Sequence, residues 1–195
     1  TVSEEEIQKT KAALALAGKK VIITVARLAE AKGYPHLIHA LPLILQKVPN
    51  LVWIIIGDGP KKKIILDLIQ KKSLQNVIRY LGQIPNELLP KYYQVADLFV
   101  LLSHPDIEAE EGWGTVFLEA AASGLPVVAG NAGGVEEAVQ NLITGLVVDA
   151  SREEGIVNAI VELLNNEQYA KQMGQAGKER VKREFGWEKQ INKIL

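Results

Sequence analysis

Glu111 and Glu119 stand at either end of a stretch that reads EGWGTVFLE, with seven residues between them. Gly112, Trp113 and Gly114 follow the first glutamate, and the apolar, alanine-rich run around the second reads as a packed helix. Glycines at a helix start let a ligand approach the backbone N–H groups, and the helix dipole favours negative charge there. A carboxylate ahead of such a helix is badly placed beside a bound phosphate but well placed to accept hydrogen bonds from hydroxyls, and sugar and ribose hydroxyls are such donors. The competing account is a solvated acidic loop, since Asp106, Glu108, Glu110 and Glu111 cluster there. Glu119, however, sits among Phe117, Leu118 and alanines, where a carboxylate needs a partner.

A second group lies in ARLAEAKGY, where Arg27 and Lys32 are the cations and Gly33 the glycine. A dinucleotide-binding domain would carry G-x-G-x-x-G at this point. Its absence argues against NAD and for an anion gripped by side chains: Arg binds phosphate through two parallel hydrogen bonds, and Lys adds a point charge. Two cations on a loop are otherwise commonly just solvated. In GDGPKKK, Gly57 and Gly59 allow turn geometries closed to other residues, and Pro60 is placed to open a helix. A tight strand-to-helix turn explains that motif by itself. Gly82-Gln83-Ile84-Pro85 is a plain turn whose backbone could meet a flat base. Gly133 and Gly134 precede a short helix with an acidic tip.

The elements that must carry these loops follow from hydrophobic pattern. Ser3 with Glu6 forms a capping box, which predicts a helix over 4–17 ending near Gly18. Strands are predicted at 21–26, 51–57, 77–82, 97–103, 125–130 and 145–149. They are solid apolar runs rather than alternating ones, as in strands buried on both faces. Helices are predicted at 34–48 (kinked at Pro42), 61–72, 87–95, 115–123 and 135–140. Two more fill 152–183, broken around Asn165–Asn166, and a last one starts near Trp187. This alternation gives the α/β class: a Rossmann-like parallel sheet with helices on both faces. Ligands of such sheets bind beyond the carboxyl ends of the strands, so the loops to read are 26–34, 57–61, 82–86, 103–115 and 130–135.

Bulk properties narrow the field further. The 195 residues fit one domain, with 48% apolar and 23% charged residues. The 22 basic and 23 acidic residues leave a net charge of −1, without the basic excess of a general nucleic-acid binder. The chain has no cysteine, hence no disulfide scaffold, thiolate metal site or cysteine nucleophile. A cytoplasmic location is then the default. No apolar run approaches the ~20 residues that cross a bilayer. The acidic, polar start without methionine reads as an internal fragment rather than a signal peptide.

The set ARL with KG, GDGP, EEGWGTVFLEAAASGLPVVAG and GGVEE resembles the C-terminal domain of the family 4 retaining glycosyltransferases, one half of the GT-B fold, over nearly the whole chain. The E-x(7)-E block with GLPVVA is its specific part; the GDGP turn is weak. The resemblance implies that residues 1–195 form the nucleotide-sugar-binding half of a metal-independent hexosyltransferase that keeps anomeric configuration. It implies that Arg27 and Lys32 hold the donor diphosphate and that Glu119 binds ribose hydroxyls. Glu111 would touch the transferred sugar as the catalytic residue, helped by backbone amides of Gly112, Trp113, Gly114, Thr115 and Val116. The loop from Arg79 through Gln83 and Ile84 would cover the base, and Gly57 and Asp58 belong to the same donor site. No metal ligands and no cofactor are implied beyond a UDP- or GDP-linked sugar. The implied partners are that donor and an N-terminal domain that binds the acceptor, supplies a histidine and receives the helix from Trp187; any contact with the inner face of a membrane would come through it.

This sequence departs from the family in having Ala26 where Gly is usual before the Arg, and Glu136 where Pro is frequent. The long acidic loop before Glu111 is similar to that of phosphatidylinositol mannosyltransferases, which use GDP-mannose. His36 and His39 read as surface residues of a helix, leaving His104 as the only loop histidine. The alternatives are an enzyme like the UDP-N-acetylglucosamine 2-epimerases, against which the E-x(7)-E block speaks, a non-catalytic nucleotide-sugar-binding module, and, disfavoured by the first loop, an NAD-binding domain.

Overall fold

The computed structural model describes residues 2–104 and 114–185. Its elements run α1 (Glu4–Ala13), β1 (Lys20–Val25), α2 (Tyr34–Lys47), β2 (Leu51–Ile56), α3 (Lys62–Lys71), β3 (Ile78–Gly82), α4 (Leu89–Tyr93) and β4 (Leu98–Leu101). They continue with α5 (Thr115–Ala122), β5 (Val127–Gly130), α6 (Val135–Ala138), β6 (Gly145–Val148), α7 (Glu153–Asn165) and α8 (Glu167–Glu184). The strands form one sheet in the order β3-β2-β1-β4-β5-β6, and every neighbouring pair is parallel. The order reverses between β1 and β4, the switch point at which doubly wound sheets open a crevice beyond their carboxyl ends.

The solid apolar strands have the cause expected of them. Val21, Ile23 and Val25 enter one buried cluster with α4, α5 and α6, while Ile22 enters another with α2, α3 and α7. Successive side chains point to opposite faces, so a strand covered on both sides must be apolar throughout. The buried polar atoms on the second face are paired in a short relay: Trp53 Nε1 donates to Thr24 Oγ1 at 3.0 Å, and Thr24 donates to the Val100 carbonyl at 2.6 Å. That relay ties β2, β1 and β4 together beneath the stacked ring of Tyr34.

Three boundaries differ from expectation. Helix α1 stops at Ala13, because Ala15 turns left-handed (φ 53°) and Leu16 is drawn into the core, 4% exposed. The capping box at its start is as expected, with Glu6 N donating to Ser3 Oγ at 3.2 Å and Ser3 N donating to Glu6 Oε2 at 3.1 Å. Helix α2 runs through Pro42 as one element, as expected. Helix α3 begins after Pro60, with Lys61 as its cap, because the Lys61 N–H donates to the Leu28 carbonyl instead. The segment 87–95 opens with a single 3-10 turn, Asn86–Leu88, before α4. The helix expected from Trp187 lies outside the described residues.

Candidate donor site at the carboxyl ends of the strands

The loops after β1, β2 and β3 are laced into one rim. Ala26 N donates to the Ile56 carbonyl, Leu28 N to the Asp58 carbonyl and Gly57 N to the Gly82 carbonyl, at 3.1, 3.1 and 2.8 Å. Tyr34 and Tyr80 add hydroxyl bonds to the carbonyls of Ala26 and Gly57. The approach is so close that a Cβ on Gly57 would lie 2.0 Å from the Ala26 carbonyl oxygen, and Gly57 itself holds φ at 138°. Thus the two glycines of GDGP do what a tight turn requires, and in doing so they fix where Arg27 leaves the sheet.

Within this rim opens a cleft of about 370 Å³. Arg27, Gly57, Asp58, Gln83, Ile84 and Val116 all line it, so one residue set drawn from four separate loops converges on one space. Arg27 is exposed, and among the described residues its guanidinium has no hydrogen-bond or ion-pair partner. Asp58 is less available: its carboxylate accepts from Gly59 N at 2.7 Å and from Lys62 Nζ at 3.1 Å, contacts that hold it below the usual carboxylate range. Val116 belongs to the first turn of α5, whose cap residue Gly114 is left-handed (φ 55°). A Cβ there would strike the ring of Phe117 at 2.6 Å. The start of α5 therefore presents its early N–H groups, Thr115 and Val116, beside a cationic loop, an arrangement suited to a phosphate.

Lys32 and Glu119 do not line the cleft. Lys32 closes a single 3-10 turn, Glu30–Lys32, just before Gly33, which lies against the Leu102 backbone. Glu119 is exposed, and the partner its surroundings demanded is the hydroxyl of Tyr93, which donates to Oε2 at 2.8 Å. Glu111, Gly112 and Trp113 lie outside the described residues. Arg79 is not brought to the site. Its guanidinium bonds the carbonyls of Leu14, Asn76 and Ile78, so it fastens the end of α1 to the edge of the sheet. The expectation that His36 is a plain surface residue is also corrected. It is half-buried, edge-to-face against His104 at 5.1 Å, and burial first and the neighbouring His104 second lower its pKa. Among the described residues none of the three histidines lines the cleft.

Two residues were missed by reading the sequence. Tyr93 gave no signal beyond an apolar helix position. Arg180, 8% exposed on α8, donates to the carbonyls of Ala138 and Glu137 at 2.8 and 2.6 Å and so caps the carboxyl end of α6, holding the Gly133–Gly134 loop from behind. Its sequence signature, Arg180 four residues before Glu184, is that of any solvated helix pair. Among the described residues, no group of three or more His, Asp or Glu is placed to hold a metal ion, and no helix is long and apolar enough to cross a membrane.

A doubly wound parallel sheet with an anion-suited cleft at its switch point defines a Rossmann-like α/β domain. Residues 6–180 match the model of the glycosyl transferases group 1, and the chain belongs to that family. It is 34% identical over 178 residues to a GDP-mannose-dependent alpha-(1-6)-phosphatidylinositol monomannoside mannosyltransferase of Mycobacterium tuberculosis, covering 89% of this chain and 46% of that protein. A GDP-mannose-dependent monoacylated alpha-(1-6)-phosphatidylinositol monomannoside mannosyltransferase of Corynebacterium glutamicum is likewise 34% identical over 173 residues, 86% of this chain and 44% of that one. Among solved structures, HepE of Anabaena in complex with UDP-glucose superposes with a TM-score of 0.86 at 26% identity, over 99% of this chain and 53% of HepE. The chain thus spans about half the length of these relatives.

Proposed function

We propose that this domain binds the nucleotide-sugar donor of a retaining, metal-independent hexosyltransferase, and that the acceptor is bound by a second, N-terminal domain. The observation that carries the reading is the convergence of Arg27, Gly57, Gln83, Ile84 and Val116 on one cleft at the switch point. Arg27, with Lys32 nearby, neutralises the diphosphate together with the first amides of α5. Gln83 and Ile84 offer a turn for the base, Glu119 accepts the ribose hydroxyls, and Glu111 touches the sugar. The expected donor is GDP-mannose, by likeness to the mycobacterial and corynebacterial relatives, with a UDP-hexose as the second candidate, by likeness to HepE.

Departure of the leaving group follows from the same arrangement. The diphosphate gathers negative charge as the glycosidic bond to it breaks, and preorganised cations and amides stabilise that charge most in the transition state. Screening the chain by thermal shift against UDP- and GDP-linked sugars in chelator tests the proposal. A ligand that binds only the folded state raises the melting temperature by mass action, about 2.7 kcal/mol of stabilisation at a hundred times Kd. Stabilisation by at least one of these donors is expected; a flat response to all of them contradicts the reading.

A further inference from the structure

Tyr93 is 2% exposed, yet it carries a hydroxyl where phenylalanine would fill the same space. Its ring lies tilted on Phe99 at 6.1 Å, and Phe99 meets Phe117 edge-on at 5.7 Å. These three rings join α4, β4 and α5 within one cluster, so the direction of the Tyr93 O–H is set by packing rather than by a mobile side chain. A hydroxyl so buried costs stability unless it is hydrogen-bonded. Its acceptor here is not a backbone carbonyl but one oxygen of the exposed Glu119 carboxylate, 2.8 Å away.

The position of this pair matters. Leu89 and Val116 both line the cleft. Tyr93 lies one helical turn beyond Leu89 on α4, and Glu119 lies just under one turn beyond Val116 on α5. The hydrogen bond therefore joins the two helices that form one wall of the cleft, immediately below its rim. An exposed glutamate ordinarily samples several rotamers, and holding one costs side-chain entropy at the moment of binding. A buried phenol that donates to Oε2 removes part of that cost in advance and leaves Oε1, with no donor among the described residues, for another hydroxyl.

We propose that Tyr93 is a positioning residue for donor recognition, whose fixed O–H orients the Glu119 carboxylate so that its remaining acceptor sites take the hydroxyls of the nucleotide's ribose. The inference rests on the reading of Glu119 as the ribose acceptor. Burial, and secondarily the charge of Glu119, push the Tyr93 phenol well above its ordinary pKa, so it stays a donor across the whole working range of pH.

The test is calorimetric titration of the full chain with GDP and with 2′,3′-dideoxy-GDP, repeated with the matching UDP pair. Tyr93→Phe keeps the ring and should lower affinity for the ribonucleotide about five- to tenfold, less than the full effect of a hydrogen bond to a charged group because Tyr93 acts only through Glu119, while affinity for the dideoxy analogue stays unchanged. In a Glu119→Ala background the same substitution should add nothing. Equal loss toward both nucleotides would show that Tyr93 acts through packing alone, and no loss toward either would show that Glu119 orients itself; each overturns the proposal. Should Tyr93→Phe fold poorly, Glu119→Asp, which withdraws the carboxylate from the phenol, must lose ribose discrimination; undiminished discrimination overturns the proposal as well. If Glu119→Ala itself keeps full discrimination between ribose and dideoxyribose, the reading of Glu119 has failed, and the role of Tyr93 falls with it.

Discussion

At the scale of single residues, the site divides into groups that meet the ligand and groups that hold the backbone for them. The proposed reading puts Glu119 in the first kind, and the close approach of Gly57 to Ala26 puts it in the second. Glu119→Ala should weaken GDP or UDP binding about tenfold, less than the full 1.5–3 kcal/mol of a charged hydrogen bond because the carboxylate is exposed. Glu111→Ala should leave free-nucleotide affinity intact and impair transfer in a two-domain protein; equal losses in both variants, read by calorimetry, would reverse the assignment. Gly57→Ala should destabilise the fold by about 2 kcal/mol or more, since a Cβ would stand 2.0 Å from the Ala26 oxygen, and a denaturant midpoint measures it. His36 carries a pH dependence. Its folded pKa lies below the ordinary value, so the unfolded chain binds the proton more readily, and stability is full above about pH 6.5 and declines as the pH falls through the His36 pKa. His36→Gln should flatten that part of the stability profile.

At the scale of elements, α8 is the brace for both glycine loops. It lies against α5 through Gly174 and Gly177, and Arg180 caps α6 from the same helix. A Cβ at Gly174 would sit 2.1 Å from the Gly124 carbonyl oxygen, so Gly174→Ala should push α8 off α5 and lower stability by about 1–3 kcal/mol, measurable by thermal denaturation. Here the difference between what sequence reveals and what it hides is clearest. The four inner strands and the break between α7 and α8 were legible because a strand buried on both faces must be apolar throughout, and because a capping asparagine interrupts the helical period. The end of α1 was not legible, because the left-handed turn at Ala15 and the burial of Leu16 depend on packing against distant parts of the chain. Arg79 was placed with the base loop by resemblance alone, and sequence does not reveal that its guanidinium is taken up by the carbonyls of Leu14, Asn76 and Ile78. Arg27, Gly57, Gln83, Ile84 and Val116 were legible because strand ends in a parallel sheet share one side. Tyr93 and Arg180 were not, since pairings with Glu119 and the end of α6 appear only once the helices are packed.

At the scale of the whole molecule, the proposed function makes this chain one wall of a larger cleft. Directed transfer depends on holding donor and acceptor in reactive geometry and keeping water out, and both need a facing surface. The chain alone should therefore fold as a monomer, bind the nucleotide and show no useful transfer to any acceptor in a radiolabelled-donor assay; robust transfer by this chain would refute the division of labour. Its relatives, about twice as long, are consistent with a second half that completes the cleft. If side-chain cations and helix amides hold the diphosphate without a divalent ion, titration calorimetry of the chain with GDP and UDP in excess chelator will read it out. The account predicts saturable binding of one nucleotide per chain in chelator, weakened at least about tenfold by Arg27→Ala, which removes a charge-assisted contact to phosphate. Binding that appears only when magnesium or manganese is restored, or that is indifferent to Arg27→Ala, would contradict it.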